Sequence, residues 1–479
     1  MSNAHTAQPG CDTSRKGGAC RLRRSGGRVE RDAARLRAGE VRLAAYLDGI
    51  GAALGHAGRA AALRTYCTGL LLPGKRKSVE LLAARVEPAR VQAAHQSLHH
   101  FVAQAAWDDA AVLGAVRERV LPALERRGPV RRWIVDELCS PKQGAHSAGV
   151  AVQVCGRSSK PGNCQVAVVL SAANEVAALP VAHRLHLPRE WADDPARRTK
   201  TGVPPEVAFE TRAEIALGQV RRVLVDGVPA GVVLGDARYG GDAGFRTGVD
   251  GLGLGYVLGM PPSAPVWPCP APTRAGRGRV PARHGDERGG EHGPIPAAEL
   301  ARHLPPQAWR KAGRRGTGRS GPPSRFAAVR VRPARADAPD GAPAPEGWLL
   351  AEWPEHEAHP VGCWLSNLPP NGSFRDLVAA AEAWRRAERD RQELEQEIGL
   401  AHYEGRGWRG FHHHASLCIA AYGFLLAERC SQPPRLRFSP GRLALPELPP
   451  GFRPRGATPA SPPARPAADP AMPDEASGV

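Results

Sequence analysis

Between Arg132 and Met260 lies the pattern that most restricts the fold of this chain. Three strand-like runs, "WIVDE", "GVAVQVCG" and "CQVAVVLSAA", follow one another closely; then come a helical stretch, "AEIALGQVRRVLVDG", and two further short apolar runs, "GVVLGD" and "GYVLGM". β-Branched runs bounded by turn residues and interrupted by one helix predict an α/β layer built on a mixed sheet. Two adjacent acids, Asp136 and Glu137, close the first run, and a third, Asp236, directly follows "GVVLG". Asp236 should therefore sit at the carboxyl end of a strand, the edge where ligands gather in open α/β sheets, although a strand-end Asp is also a common turn or cap residue.

The rest of the chain divides around this layer. Residues 1–40 form a basic, Gly-punctuated arm, "SRKGGACRLRRSGGRVERDAARLRAG", with almost no large apolar residues. Residues 41–128 have helical spacing, with "SVELLAARVEP" starting at Ser78 and stopping before Pro88. Residues 129–261 make the first part of the α/β core. The segment 262–366 is rich in Pro, Gly and Arg, with loops such as "WRKAGRRGTGRSG" and strand candidates "SRFAAVRVRP", "GWLLAEWP" and "GCWLSNLP". Residues 367–430 return to the core, and 431–479 form a Pro-rich tail expected to be largely disordered.

A helix is predicted from an N-cap at Ser373 to a stop at Gly399. Leu377, Ala381, Trp384, Glu388, Arg391, Glu395 and Ile398 recur along it at spacings of four and three, so they share one face. A carboxylate on such a stripe is costly unless it is paired or bound to a cation. Glu388 is thus either salt-bridged, to Arg385 or Arg391, or a metal ligand. Acids from two strand ends and a helix are the parts of a two-metal phosphoryl-transfer site, because Mg²⁺ takes carboxylate oxygens and keeps waters.

Charge points the same way. The chain has 479 residues, with 65 Lys and Arg against 47 Asp and Glu, a formal net charge of +18. Such a balance favours a polyanion, nucleic acid first, although the excess of Arg over Lys is also a mark of GC-rich coding. Candidate phosphate contacts are Lys75, Arg76 and Lys77 in "GKRKS", Arg314 and Arg315 in the Arg-rich loop, Arg330 and Arg332 on one face of a strand, and Arg385. The ten Cys contain no C-x-x-C pair and read as reduced thiols. His412, His413 and His414 are consecutive, and on a helix they fan out by about 100° each, which suits packing better than a shared ion. No apolar run approaches the roughly 18 residues of a membrane span, so a soluble, cytoplasmic, nucleoid-associated protein is expected.

The blocks "GKRKSVELLAARV", "WIVDELCSPKQGAHSAGVAVQVCG", "NCQVAVVLSAAN", "LPVAHRLHLPREWADD", "GVVLGDARYG", "SRFAAVRVRP", "WLLAEWPE", "WLSNLP" and "AERDRQELEQEIGLAHYEGRGWRGFHHH" resemble, in this order, bacterial insertion-sequence transposases of the DDE superfamily endonuclease group. The resemblance covers about residues 66–430. It implies a ribonuclease-H-like core preceded by a helical DNA-binding region and interrupted by a strand-rich insertion that helps to clamp transposon-end DNA. It also implies Asp236 and Glu388 as the second and third catalytic acids, Mg²⁺ or Mn²⁺ as two bound ions, and double-stranded DNA held by a homodimer. The implied activity is cutting at element ends and joining of the freed 3′-hydroxyl to target DNA.

The departures from the resemblance matter too. Relatives usually read Asp-Asp-Thr-Gly-Phe where this chain reads "DELCS", and the first metal ligand is generally the second acid, whose slot holds Glu137. One extra methylene moves a carboxylate by more than the roughly 0.5 Å tolerance of a preorganised site. Neighbouring strand residues face opposite ways, so Asp136 replaces Glu137 only if the strand has already ended. Seven residues after Glu388, Glu395 stands where relatives carry a Lys, and two helical turns place it about 10 Å along the same face. The expectation is a transposase with a partly eroded site, or alternatively a decayed or repurposed homologue that binds DNA without cutting it.

Overall fold

The computed structural model describes residues 37–74, 76–154, 160–269, 293–311, 324–334 and 344–431, except that the side chains of residues 385–389 lie outside the description. The predicted arm and tail, and Lys75, Arg314 and Arg315, fall almost wholly or entirely outside these residues.

Residues 37–51 are helical and lead into α1 (Ala57–Leu71), α2 (Val79–Val86), α3 (Val91–Ala103) and α4 (Asp109–Glu125). Helix α2 ends at Val86, two residues before Pro88, in keeping with the steric restriction on the residue that precedes a proline. Leu63, Leu70, Leu82, Phe101, Val116 and Val120 from these helices are buried in one apolar cluster. That cluster continues into the sheet, so the helical region is packed on the core.

Strands β1 (Arg132–Pro141), β2 (Ala151–Val154), β3 (Pro161–Ala173) and β4 (Ala178–Leu185) are followed by helix α5 (Arg212–Val225), then β5 (Val232–Gly235), helix α6 (Ala243–Gly251) and β6 (Tyr256–Gly259). Strand β4 pairs antiparallel with β3, β3 antiparallel with β1, β1 parallel with β5, and β5 parallel with β6. This mixed α/β sheet is ribonuclease-H-like, as expected. Helix α5 begins with a full capping box, the Thr211 side chain and Glu214 each satisfying the other's backbone.

The predicted insertion extends this sheet. Strands β7 (Pro265–Pro268), β8 (Ile295–Pro296), β9 (Arg310–Lys311), β10 (Ser324–Pro333), β11 (Gly347–Pro354) and β12 (Gly362–Ser366) join it through antiparallel pairing of β12 with β6. Among the described residues, twelve strands form one sheet. The sequence reading missed β4, β7, β8 and β9. The last three are two to four residues long and sit among Pro and Arg, so their pairing is set by neighbours rather than by local pattern.

Helix α7 (Phe374–Gln392) starts as predicted, with Ser373 Oγ accepting the Asp376 N–H at 3.1 Å. It does not continue as an α-helix to Gly399: Glu393–Ile398 form a π-helical segment before Gly399 turns the chain at φ 95°. Helix α8 (Trp408–Ser431) is buried almost throughout, against α1, α4 and β4. The two sheet faces are distinct. Trp133 and Val135 join the large core with Ile215, Val220 and Val223 of α5, whereas Ile134 and Leu234 pack with Leu377, Val378 and Ala381 of α7.

The cysteine reading needs one correction. Cys67, Cys164, Cys269, Cys363, Cys418 and Cys430 are free thiols, but Cys139 is disulfide-bonded. A screen for C-x-x-C pairs does not test bridges of other spacing.

Candidate active site

Strand β1 runs on to Pro141, so Asp136 and Glu137 both lie inside it and the pleat sends them to opposite faces. Glu137 faces α5 and is 2% exposed. Its Oε2 accepts Arg212 Nη1 at 2.9 Å and lies 3.1 Å from Arg238 Nη1. Its other oxygen, Oε1, is buried without a hydrogen-bond partner among the described residues. Burial pushes the Glu137 carboxyl up from its ordinary range, and the two guanidinium groups oppose that shift.

Asp236 stands immediately after β5, where the chain turns into a short helix, Ala237–Gly241. Asp236 Oδ1 accepts the Arg238 backbone N–H at 2.9 Å, while Oδ2 accepts Arg238 Nη2 at 2.7 Å and Nε at 3.1 Å. Asp236 thus caps the short helix that follows it. Arg238 is the shared partner: one guanidinium holds Asp236 through one edge and Glu137 through Nη1. Arg212 is anchored separately, with Nη2 donating to Gln153 Oε1 at 2.8 Å and Nη1 also reaching the Val154 carbonyl at 3.3 Å. Two carboxylates and two guanidiniums thus meet beside β1 and the end of β5.

Asp136 belongs to a second group on the α7 face. Its Oδ1 accepts the Glu137 N–H at 2.8 Å, and its Oδ2 lies 2.9 Å from Arg391 Nε, an ion pair off the line of that N–H. Arg391 Nη1 donates to Glu395 Oε1 at 2.7 Å. Asp136, Asp390, Arg391, Ser171 and Tyr422 line a small cavity between β1 and α7. Asp390 Oδ2 accepts the Ala178 N–H at 3.0 Å, which ties α7 to the start of β4.

Position 388 lies on α7 eleven residues after Leu377 and seven after Ala381, both buried, so helical periodicity puts it on the stripe that meets the sheet. Its side chain lies outside the described residues, as does that of Arg385. The prediction that Glu395 continues the stripe two turns on is corrected, because the π segment adds residues to the turn and breaks the α-helical register. Glu395 acts instead as the anchor of Arg391. Among the described residues no group of three or more His, Cys, Asp and Glu is gathered for a metal ion, and that set does not contain the Glu388 side chain. The donor set present fits a divalent ion in kind: carboxylate oxygens of Glu137 and Asp236 already converge on one cation, the Arg238 guanidinium.

The basic candidates separate. Lys77 is 3% exposed and gives its ammonium to the carbonyls of Leu70 and Leu72 at the C-terminus of α1. It caps a helix, so its assignment to phosphate is corrected; a cation is favourable at that end of the dipole. Arg330 lies over the Trp348 ring and donates Nε to Glu346 Oε1 at 2.6 Å. Arg332, opposite Trp267 in the β10–β7 pairing, is exposed, as is Arg76, which lies 3.7 Å from Glu404.

The three histidines turn to different partners, as their fanning required. His412 Nε2 accepts the Leu185 N–H at 3.3 Å, His413 lies between the carbonyls of Val102 and Trp107, and His414 meets Tyr66 and the Gly399 carbonyl. Sequence reasoning missed Arg212 and Arg238 as partners of Glu137 and Asp236, and named Arg391 only as a partner of Glu388. Arg238, two residues after Asp236 inside "GDARYG", was the one with a local signal.

A ribonuclease-H-like sheet with acids on, and just after, its adjacent parallel strands β1 and β5 defines a class of metal-dependent nucleases. The chain belongs to the DDE superfamily endonucleases, whose family model matches residues 50–320. Membership makes it a transposase-like nuclease at the coarse level, with DNA as the substrate class. A comparison with curated proteins found no match. Among the described residues no helix is long and apolar enough to cross a membrane.

Proposed function

We propose that this chain is a transposase that cuts DNA at the ends of its own element and joins the 3′-hydroxyl to target DNA, with Glu137 and Asp236 as metal ligands. The observation that carries the reading is the convergence of Glu137 and Asp236, from neighbouring parallel strands, on the single guanidinium of Arg238. Acids that share one cation are close enough to share another. Divalent ions held there would activate water and neutralise the charge that develops in an in-line displacement at phosphorus.

The protein's own groups supply the placement. The β1–β5 pairing, with Ile134 opposite Leu234, sets Glu137, inside β1, near Asp236, which follows β5. Asp136, on the other face, holds Arg391 against the sheet rather than completing the ligand set. Exposed Arg76 and Arg332 are available for phosphates. A homodimer pairing two ends is part of the proposal.

The test is cleavage of a supercoiled plasmid carrying the element's ends, with Mg²⁺ or Mn²⁺. Nicks at the ends and joined products in wild type support the reading, and their absence in the presence of salt-sensitive end binding removes it. That second outcome would leave a homologue that binds DNA without cutting, a reading favoured by the guanidinium groups that already neutralise the acids.

A further inference from the structure

We propose that Arg238 is the resident cation of this acidic site: it holds Glu137 and Asp236 together when no divalent ion is bound and sets the affinity with which one enters. The inference rests on the reading of those two acids as ligands and assigns a positioning role to a residue outside the ligand set. Two carboxylates brought to one spot repel unless a cation lies between them. Arg238 supplies it with three nitrogens, Nη1 toward Glu137 and Nε and Nη2 toward Asp236, while its own backbone N–H fixes Asp236 Oδ1.

Arg212 cannot yield in the same way. It is tied to Gln153 and Val154 as well as Glu137, and its side chain is 19% exposed. The Arg238 side chain is 35% exposed against 19% for Arg212, so it has solvent to move into. An entering divalent ion needs the oxygens that Arg238 now holds, and two cationic groups at that separation repel strongly. Entry therefore exchanges one cation for another, and the apo site stays assembled at the expense of weaker metal binding. Glu137 Oε1, buried and without a partner among the described residues, is the oxygen left open for the incoming ion.

The experiment titrates the full-length protein with Mn²⁺ alone and reads free Mn²⁺ by electron paramagnetic resonance. Arg238→Met should tighten Mn²⁺ binding by roughly tenfold or more, the effect of removing one unit charge a few ångströms from a divalent ion in a water-like dielectric. Arg238→Lys, which keeps the charge, should retain the wild-type affinity. Arg238→Gln, which keeps an N–H donor for Asp236, should bind as tightly as the Met variant and serves if the latter fails to fold.

Unchanged Mn²⁺ affinity in the Met and Gln variants, with weakened binding in Asp236→Asn and Glu137→Gln, overturns the role of Arg238 and leaves the ligands standing. Wild-type affinity in Asp236→Asn and Glu137→Gln overturns the ligand reading itself, and the present inference with it. Loss of DNA affinity in Arg238→Met without a change in Mn²⁺ affinity would make Arg238 a phosphate contact and also overturn the proposal.

Discussion

Replacing Glu395 with Lys, the residue its relatives carry, should destabilise this chain rather than restore it. Glu395 is 13% exposed at its side chain and Arg391 23%, and the two are joined at 2.7 Å while Arg391 also neutralises Asp136. Exposed pairs contribute about 0.2–1 kcal/mol, whereas breaking a buried pair from one side costs about 3–5 kcal/mol. Partial burial places the loss between these limits, and a Lys adds repulsion against Arg391, so a cost of about 2–4 kcal/mol is expected. Urea denaturation followed by tryptophan fluorescence reads it as a lower midpoint with an unchanged slope. Glu395→Gln, which removes the charge without reversing it, should fall between the Lys variant and wild type. A Glu395→Lys protein as stable as wild type, with faster DNA cleavage, would refute the anchoring role and restore the view of Glu395 as an eroded DNA contact.

Other consequences follow from the same geometry. Burial lowers the pKa of His412 and pushes that of His414 down to about 4. A histidine with a depressed folded-state pKa contributes stability that is present above about pH 6.5 and lost as pH falls toward 4; at pH 5 His414 alone should cost about 2 kcal/mol in a denaturation series. Protonating His412 would also displace the Leu185 N–H from Nε2. Lys77→Met should cost about 1–3 kcal/mol by leaving two helix-end carbonyls unpaired, yet leave the salt dependence of DNA binding unchanged, whereas Arg332→Ala should reduce that slope by about one. Gly240→Ala would put a Cβ 1.7 Å from the Gly259 carbonyl oxygen, where the helix after Asp236 presses on β6, and should sharply reduce the yield of folded protein on size-exclusion chromatography.

The α/β core was legible because its strands are apolar runs with turn residues at their ends: "WIVDE", "CQVAVVLSAA" and "GVVLGD" all became strands, and Ser373 did start a helix. Strand β4 was missed because "ALPVAHRL" mixes Pro, His and Arg with its apolar residues, and its polarity is explained only by the helix α8 that covers it. The acids were visible as residue types at strand ends, but not their partners. An Arg that crosses from the start of α5 to Glu137, 75 residues away, leaves no periodic trace. The π segment after Gln392 was equally hidden, since Glu393–Ile398 reads as ordinary helix, and so was the pairing of Glu395 with Arg391.

The central claim is tested most directly by Mg²⁺-dependent cleavage and joining of element-end DNA by wild type, Asp236→Asn, Glu137→Gln and Asp136→Asn, each confirmed as folded. Wild type should give nicked and joined products, Asp236→Asn and Glu137→Gln none, and Asp136→Asn should retain them. Cleavage by Asp236→Asn at the wild-type rate, or its loss in Asp136→Asn while Glu137→Gln still cuts, would contradict it.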